Sequence, residues 1–299
     1  MIKKTLYFGN PAYLSVRNNQ LTIELKETDK PARTIPIEDI GMVLLDHPQI
    51  TITHNLIEAL LANNCALITC DQKHHPVGLL LPLEGHTLQN ERFRFQIEAS
   101  LPLKKQLWQQ TVQMKIANQA SLLREVSETE ALNMQKWTRE VRSGDPDNFE
   151  ARAAVYYWRN LFTAIPDFIR DKDGEYPNNL LNYGYAILRG TIARALVASG
   201  LLPTLGIHHR NKYNAYCLAD DIMEPYRPFV DKHVLGLMEK YTEAYQLNHT
   251  LKVELLQIPA LDVTINGKKS PLMIAAGLTT ASLAKCFLGE TRKILYPVL

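Results

Sequence analysis

The chain has 299 residues, 46% of them hydrophobic, so it is long enough for one large domain or two ordinary ones. Its formal net charge at pH 7 is +2, so any nucleic-acid binding must come from local patches rather than from the field of the whole molecule. Four cysteines without a CxxC pair favour buried thiols in a reducing compartment over zinc ligands or disulfides. Because the sequence shows no signal-peptide core and no run of about 18 apolar residues, we expect a cytoplasmic protein without a membrane span.

The first 84 residues have the patterns of a β-rich domain. Leu21, Ile23 and Leu25 alternate with polar residues, which is the period of two expected for a half-buried strand. Short apolar runs follow, and Thr53 is placed to cap one helix among them. These runs lie at residues 40–45, 50–52, 66–69 and 77–81. Because strands this short need a sheet with a covered face, we predict a β-strand domain over residues 1–84.

From about residue 85 the periodicity of the apolar residues becomes helical. Leu107, Val112 and Ile116 predict a long helix, which also carries Lys104, Lys105 and Lys115. Further helix signals are a capping box at residues 127–130, Asp145-Pro146, residues 178–199 followed by Gly200, and Ser270-Pro271. We therefore predict an α+β protein, in which the N-terminal β-rich domain is followed by a larger all-α domain over residues 85–299.

The residues from 201 to 232 hold the densest set of titratable side chains. A helix beginning at about residue 215 would place Asp220 and Asp221 each about one turn before Glu224, at i, i+4 and i, i+3, and so give an acidic face. His208 and His209 lie in the loop before it. Because like charges this close repel each other, we expect a cation between them, and oxygen ligands with one imidazole suit Mg²⁺ or Mn²⁺.

Salt bridges are the alternative explanation for this acidic face. Arg210, Lys212 and Arg227 are close enough in sequence to serve as its partners. A further carboxylate, Glu150, opens an apolar and aromatic helix next to Arg152. Glu150 could anchor a metal from a second helix, or it could be a first-turn carboxylate favoured by the helix dipole.

Basic and aromatic side chains are interleaved with these acids. Cations neutralise phosphates and aromatic rings stack on bases, so such a surface suits DNA. The alternative is that most of the tyrosines are core residues and most of the arginines lie on solvated helix faces. The candidate DNA-contacting side chains are Arg152, Arg189, Arg194, Arg210, Lys212 and Arg227.

Three segments, in order along the chain, resemble the spacer-acquisition integrases of CRISPR systems. They are NFEARAAVYYW, NNLLNYGYAILRGTIARALVASGLLPTLGIHH and LADDIMEPYRPFVD. By this resemblance Glu150, His209 and Glu224 are the metal ligands, with His208 as the alternative to its neighbour, and Asp221 matches an additional aspartate near the metal. GIHHRN and MEPYRP are most similar to the version found beside type II systems.

The resemblance implies a DNA endonuclease and integrase that depends on Mg²⁺ or Mn²⁺. The 3′-hydroxyl of a short double-stranded DNA fragment would attack a phosphodiester at the edge of a CRISPR repeat, inserting a new spacer. It also implies a homodimer that joins a small ferredoxin-like partner in a heterohexamer, with the type II effector nuclease and an accessory protein as further partners. The N-terminal domain would serve dimerisation and DNA contact, and the helical domain would be catalytic and bind the metal.

Two other functions remain compatible with the residues. One is a stand-alone metal-dependent nuclease that acts on branched or single-stranded DNA in repair. The other is a catalytically inactive DNA-binding scaffold, which intact Glu150, His209 and Glu224 disfavour. Because the chain contains no GxGxxG, GxxxxGK or GxSxG motif, dinucleotide-binding, P-loop and serine-hydrolase chemistries have no support.

Overall fold

The computed structural model of the protein describes residues 3–26, 31–126, 131–165, 167–241 and 246–299. Strands come first and a mostly helical region follows, so the predicted α+β fold class is confirmed. The capping box predicted at residues 127–130 lies outside the described residues. In the part of the chain that the structure describes, no helix is both long and apolar enough to cross a membrane.

The N-terminal region contains eight strands and one α-helix within its described residues. They are β1 (Lys4–Phe8), β2 (Ala12–Arg17), β3 (Gln20–Leu25), β4 (Arg33–Pro36), β5 (Ile40–Leu45), β6 (Thr51–Ile52), α1 (His54–Ala62), β7 (Ala66–Cys70) and β8 (Pro76–Leu80). One sheet has the order β1-β5-β7-β8, in which β8 is antiparallel to β7 and the other pairs are parallel. The second sheet has the order β4-β3-β2-β6.

Strand β3 forms where the alternating residues predict it. Asn18 and Asn19 both have positive φ angles, 50° and 58°, which suit the two-residue turn that joins β2 to β3. Thr53 caps α1 by accepting a hydrogen bond from the amide of Leu56. Leu21 and Leu56 belong to one apolar core, which strands of both sheets share with α1.

The rest of the chain is mostly helical. Its elements are α2 (Gln89–Glu98), α3 (Leu101–Val126), α4 (Leu132–Glu140), α5 (Phe149–Leu161), α6 (Asn178–Ala198), α7 (Cys217–Met223), α8 (Arg227–Lys240), α9 (His249–Leu255), β9 (Asp262–Ile265), β10 (Lys268–Pro271) and α10 (Leu272–Phe287). Helix α6 packs against α7, α8, α9 and α10, which explains why it is apolar on nearly all sides. It ends before Gly200, whose φ of 67° suits the predicted C-terminal stop.

A glycine in α6 lets the helix approach the first sheet. A Cβ atom on Gly190 would lie 2.9 Å from the Cδ1 atom of Ile68 on β7, so a larger residue would push the two elements apart. Ile68 and Met42 of this sheet belong to the same apolar core as the helices. The helical core therefore extends into the N-terminal sheet.

The antiparallel hairpin of β9 and β10 is an element that the sequence analysis did not predict. Its turn contains Asn266 and Gly267, both with positive φ. Helix α10 begins directly after β10, at the Ser270-Pro271 signal. Strand β8 ends at Leu80 and α2 begins at Gln89, and the domain boundary between residues 84 and 85 stays a prediction.

A buried polar cluster connects the two regions. The carboxylate of Asp46, after β5, accepts hydrogen bonds from Lys252 Nζ on α9 at 2.8 Å and from the hydroxyl of Tyr7 at 2.7 Å. His74 Nδ1 lies 2.8 Å from the other carboxylate oxygen. Burial alone would raise the pKa of Asp46, but these three partners lower it below its ordinary value. Asp46 and Lys252 therefore form an ion pair inside the fold.

Candidate active site

The predicted carboxylates meet around a lysine that the sequence analysis did not single out. Lys115 on α3 places its Nζ atom 2.8 Å from Glu150 Oε1 and 2.6 Å from Glu224 Oε2. The exposed fractions of the three side chains are 11% for Lys115, 21% for Glu150 and 6% for Glu224. Two carboxylates that are far apart in sequence thus share one cation at a mostly buried point.

Glu150 is held at the first turn of α5. The two carboxylate oxygens of Asp145 accept hydrogen bonds from the amides of Phe149 and Glu150, each at 2.9 Å. The helix was predicted to start at Asp145-Pro146, but it begins at Phe149 because Asp145 acts as a side-chain cap and Asn148 adopts a left-handed conformation. The cap fixes the backbone from which Glu150 reaches Lys115.

Glu224 lies just beyond the end of α7, in a 3₁₀ turn. Asn118 of α3 donates a hydrogen bond of 2.8 Å to the carbonyl of Pro225, which ties this turn to the helix that carries Lys115. Arg227 Nε lies 2.9 Å from Glu224 Oε1. Burial would raise the pKa of Glu224, but Arg227 and Lys115 lower it to about 2, so the carboxylate is ionised at neutral pH.

Asp221 organises the loop that carries the two histidines. Its side chain is fully buried, and its oxygens accept hydrogen bonds from the amides of Ile207 at 2.7 Å, His208 at 3.0 Å and His209 at 3.1 Å. The Nδ1 atom of His209 lies 2.6 Å from Asp221 Oδ1. An ionised carboxylate can only accept, so Nδ1 carries a proton and Nε2 of the neutral ring keeps its lone pair. The hydrogen bond to Asp221 raises the pKa of His209, against the effect of burial.

The two histidines have different surroundings. The ring of His208 stacks on Trp108 of α3, with centroids 4.1 Å apart and an angle of 2° between the planes. Burial lowers the pKa of His208. Because Asp221 fixes the ring of His209 while His208 is turned onto Trp108, His209 is the better candidate for a ligand.

The predicted metal ligands Glu150, His209 and Glu224 are not preassembled. Among the described residues, no three His, Cys, Asp or Glu side chains converge into a group that could hold a metal ion. The donor chemistry nevertheless fits Mg²⁺ or Mn²⁺, since it offers two carboxylates and an imidazole. Glu224 Oε2 is buried, and the group beside it is already a cation, the Lys115 ammonium, whose Nζ atom lies 2.6 Å away. An oxygen in this situation suits a cation.

The six cations predicted to contact DNA fall into two groups. The exposed ones are Arg152, Arg210 and Lys212. The other three have partners inside the protein: Arg189 pairs with Asp220 at 2.7 Å, Arg194 donates to the carbonyl of Asn64, and Arg227 pairs with Glu224. These three cations have internal partners and are less free to bind phosphates than the exposed three, and DNA contact stays a prediction for all six.

The alternative interpretations are confirmed in part. Arg227 is a salt-bridge partner of the acidic segment, as the salt-bridge alternative predicted. Some of the tyrosines are core residues, as the alternative to base stacking predicted: Tyr157, Tyr183 and Tyr185 are buried. Tyr157 and Tyr185 donate hydrogen bonds to the buried carboxylate of Asp231. Burial raises the pKa of Asp231 to about 6, despite these two hydrogen bonds.

One sequence signal could have identified Lys115. It lies three residues after Val112 and directly before Ile116, both fully buried on α3, so it falls within the apolar stripe of the helix. A lysine in such a stripe is rarely buried without a partner. The pattern does not identify the partners, because Glu150 and Glu224 lie on other elements.

A β-rich region followed by helices that bring two carboxylates to one cation is the arrangement expected of the CRISPR integrases that the sequence resembles. The sequence profile of the family described as CRISPR associated protein Cas1 matches residues 6–248. The chain is 36% identical over 266 residues to the CRISPR-associated endonuclease Cas1 of Neisseria meningitidis serogroup C (strain 8013), covering 89% of this chain and 86% of that protein. The chain therefore belongs to the Cas1 family of endonucleases and integrases.

Two solved structures share the fold. A casposase bound to integration product has a TM-score of 0.81 and 21% identity, and the match covers 98% of this chain and 92% of that chain. A chain of a Cas6-RT-Cas1–Cas2 complex has a TM-score of 0.74 and 18% identity, and the match covers 97% of this chain and 35% of that chain. At these identities the two structures bear on the fold alone.

Proposed function

We propose that the protein is a divalent-metal-dependent DNA endonuclease and integrase of CRISPR adaptation. The 3′-hydroxyl of a short DNA fragment attacks a phosphodiester at the edge of a repeat, and the fragment becomes a new spacer. The observation that carries this proposal is the meeting of Glu150 and Glu224 at one cation, in a chain of the Cas1 family. One phosphodiester replaces another in this reaction, so it needs no nucleotide cofactor.

Glu150, Glu224 and His209 would hold Mg²⁺ or Mn²⁺, which when bound would neutralise charge on the reacting phosphate and activate the attacking oxygen. Asp221 has a different role, because all of its hydrogen bonds go to the histidine loop. It is a positioning residue that orients the His209 ring. Hydrogen-bonded partners of this kind orient the histidine ligands of metal sites.

The exposed cations would bind the DNA backbone beside this site. Arg210 directly follows His209, and the ammonium of Lys212 lies 4.9 Å from the centre of the Tyr213 ring. Arg152 lies two residues after Glu150 and is exposed. Exposed cations neutralise phosphates without reading base sequence, which suits fragments of many sequences.

The assembly is part of the proposal. Residues 1–84 would serve dimerisation and DNA contact, and residues 85–299 would form the catalytic region. The homodimer would join a small ferredoxin-like partner in a heterohexamer, and a Cas1–Cas2 assembly is named in one structure with this fold. The type II effector nuclease and an accessory protein would be further partners.

Half-site integration is the experiment that tests this function. A labelled short duplex is incubated with a supercoiled plasmid that carries a leader and repeat, with Mn²⁺, and with or without the small partner. His209→Ala and Glu224→Gln are compared with wild type, and Glu91→Gln, a change of an exposed carboxylate on α2, serves as the matched control.

We expect metal-dependent joined product from wild type and Glu91→Gln only. Cleavage without joining, even with the partner present, would favour the stand-alone nuclease. Equal activity of wild type and Glu224→Gln with Mn²⁺ would refute the proposed site.

A further inference from the structure

Lys115 is in an unusual position for a lysine. Its side chain is almost fully buried on α3, and its ammonium contacts one oxygen of each candidate metal ligand, Glu150 and Glu224. Burying a charge is unfavourable unless the charge is paired, and here two carboxylates provide the pairing. The two contacts come from separate elements, so Lys115 also connects α5 to the turn after α7.

The charges at this point already balance. Glu150 and Glu224 supply two negative charges, and Lys115 and Arg227 supply two positive charges. A divalent cation bound between the same carboxylates would add two positive charges close to the ammonium. At a few ångströms in a mostly buried site, repulsion between such cations is strong. The ammonium and a divalent cation therefore compete for the same oxygens.

We propose that Lys115 is a positioning residue that holds Glu150 and Glu224 together in the metal-free protein and gives up these contacts when a divalent cation binds. This inference rests on the proposed metal site. Lysine suits such an exchange, because a compact charge on a flexible four-carbon stem can move without displacing the helix that carries it. Before the metal binds, the ammonium of Lys115 offsets the repulsion between the two carboxylates. Because the metal must displace the ammonium, Lys115 also weakens metal binding.

Lys115→Met is the variant that separates these two effects, because methionine keeps much of the length of the side chain without its charge. We expect it to bind Mn²⁺ at least about tenfold more tightly than wild type, measured by calorimetric titration at fixed pH and salt. In chelator its melting temperature should fall below that of wild type, because two ionised carboxylates lose their shared cation. Mn²⁺ should then raise the melting temperature of the variant more than that of wild type.

Two controls accompany this variant. Lys104→Met removes a lysine from the first turn of the same helix and should leave both the Mn²⁺ affinity and the melting temperature near those of wild type. If Lys115→Met does not fold, Lys115→Met with Glu224→Gln removes one charge of each sign. We expect this pair of changes to restore folding, and failure to restore it would overturn the charge-balance argument.

The outcomes distinguish the inference from the proposed function. If wild type does not bind Mn²⁺, or if Glu150→Gln and Glu224→Gln bind it as wild type does, the metal site is wrong and the Lys115 inference is refuted with it. If wild type binds Mn²⁺ and both carboxylate variants weaken binding, while Lys115→Met binds with equal or lower affinity, only the Lys115 inference is overturned.

Discussion

Asp221→Asn tests whether Asp221 supports the histidine loop. The carboxylate of this fully buried residue accepts four hydrogen bonds, three from backbone amides and one from His209 Nδ1. In either orientation, the NH₂ group of an asparagine would face at least one backbone N–H. One or two of the four bonds would be lost, and the remainder would become neutral.

The expected loss of stability follows from these bonds. A hydrogen bond to a charged group contributes about 1.5–3 kcal/mol and a neutral one about 1 kcal/mol, so the variant should lose about 3–5 kcal/mol of unfolding free energy. Urea denaturation measures this loss, provided that the slope of the transition stays unchanged. Strand transfer should fall as well, because in one orientation of the amide His209 Nε2 carries the proton and its lone pair is lost.

Asp220→Asn is the matched control on the same helix. Its carboxylate pairs with Arg189, whose side chain is 43% exposed, and accepts a hydrogen bond from the Asn214 amide, which the oxygen of an asparagine can still accept, so the loss should be only about 1 kcal/mol. If Asp221→Asn were no more destabilising than Asp220→Asn, the assignment of Asp221 as the support of the loop would be wrong.

Three further predictions follow from the charges. The pKa of Asp231 in the folded protein, about 6, is above the ordinary value of 3.8, so protonated Asp231 stabilises the fold and this contribution is lost as the pH rises from about 4 through 6. Over this range the unfolding free energy of wild type should fall relative to that of Asp231→Asn. Equal pH profiles of stability would contradict the burial effect. Lys252→Met should lower the unfolding free energy by about 3–5 kcal/mol, because Asp46 stays buried without its ammonium, and adding Asp46→Asn should recover much of the loss in the same urea assay. The affinity for DNA should fall steeply as the salt concentration rises. The double variant Arg210→Gln, Lys212→Gln should reduce the slope of log K against log salt by about two. An unchanged slope would mean that these two residues do not contact the DNA.

The sequence predicts those parts of the site that lie in recognisable segments. Glu150, His209 and Glu224 could be named from their motifs, and their role as metal ligands stays a prediction. Lys115 could not be assigned a role, because its partners are brought to it only by tertiary packing. Asp221 was predicted to lie near a metal, which stays a prediction, but its hydrogen bonds to the histidine loop could not be predicted from the sequence. Sequence spacing does not reveal which way a buried carboxylate faces.

The fold was likewise predictable only where the pattern of neighbouring residues determines the element. Alternation identified strand β3, but the order β1-β5-β7-β8 depends on contacts between segments that are distant in sequence. The hairpin of β9 and β10 had a local signal, the Asn266-Gly267 turn, which the sequence analysis overlooked beside the apolar helix that follows. The predicted start of α5, at Asp145-Pro146, was wrong by a few residues, because Asp145 caps the helix from outside its first turn.

The ion pair of Asp46 and Lys252 has a consequence for cooperativity. Separating the strands from the helices would leave each of these buried charges without its main partner and would expose the apolar contact between Ile68 and Gly190. We therefore expect the strands and the helices on either side of residue 85 not to be stable when separated. The chain should unfold in a single transition, and a fragment that begins at residue 85 should be unstable on its own.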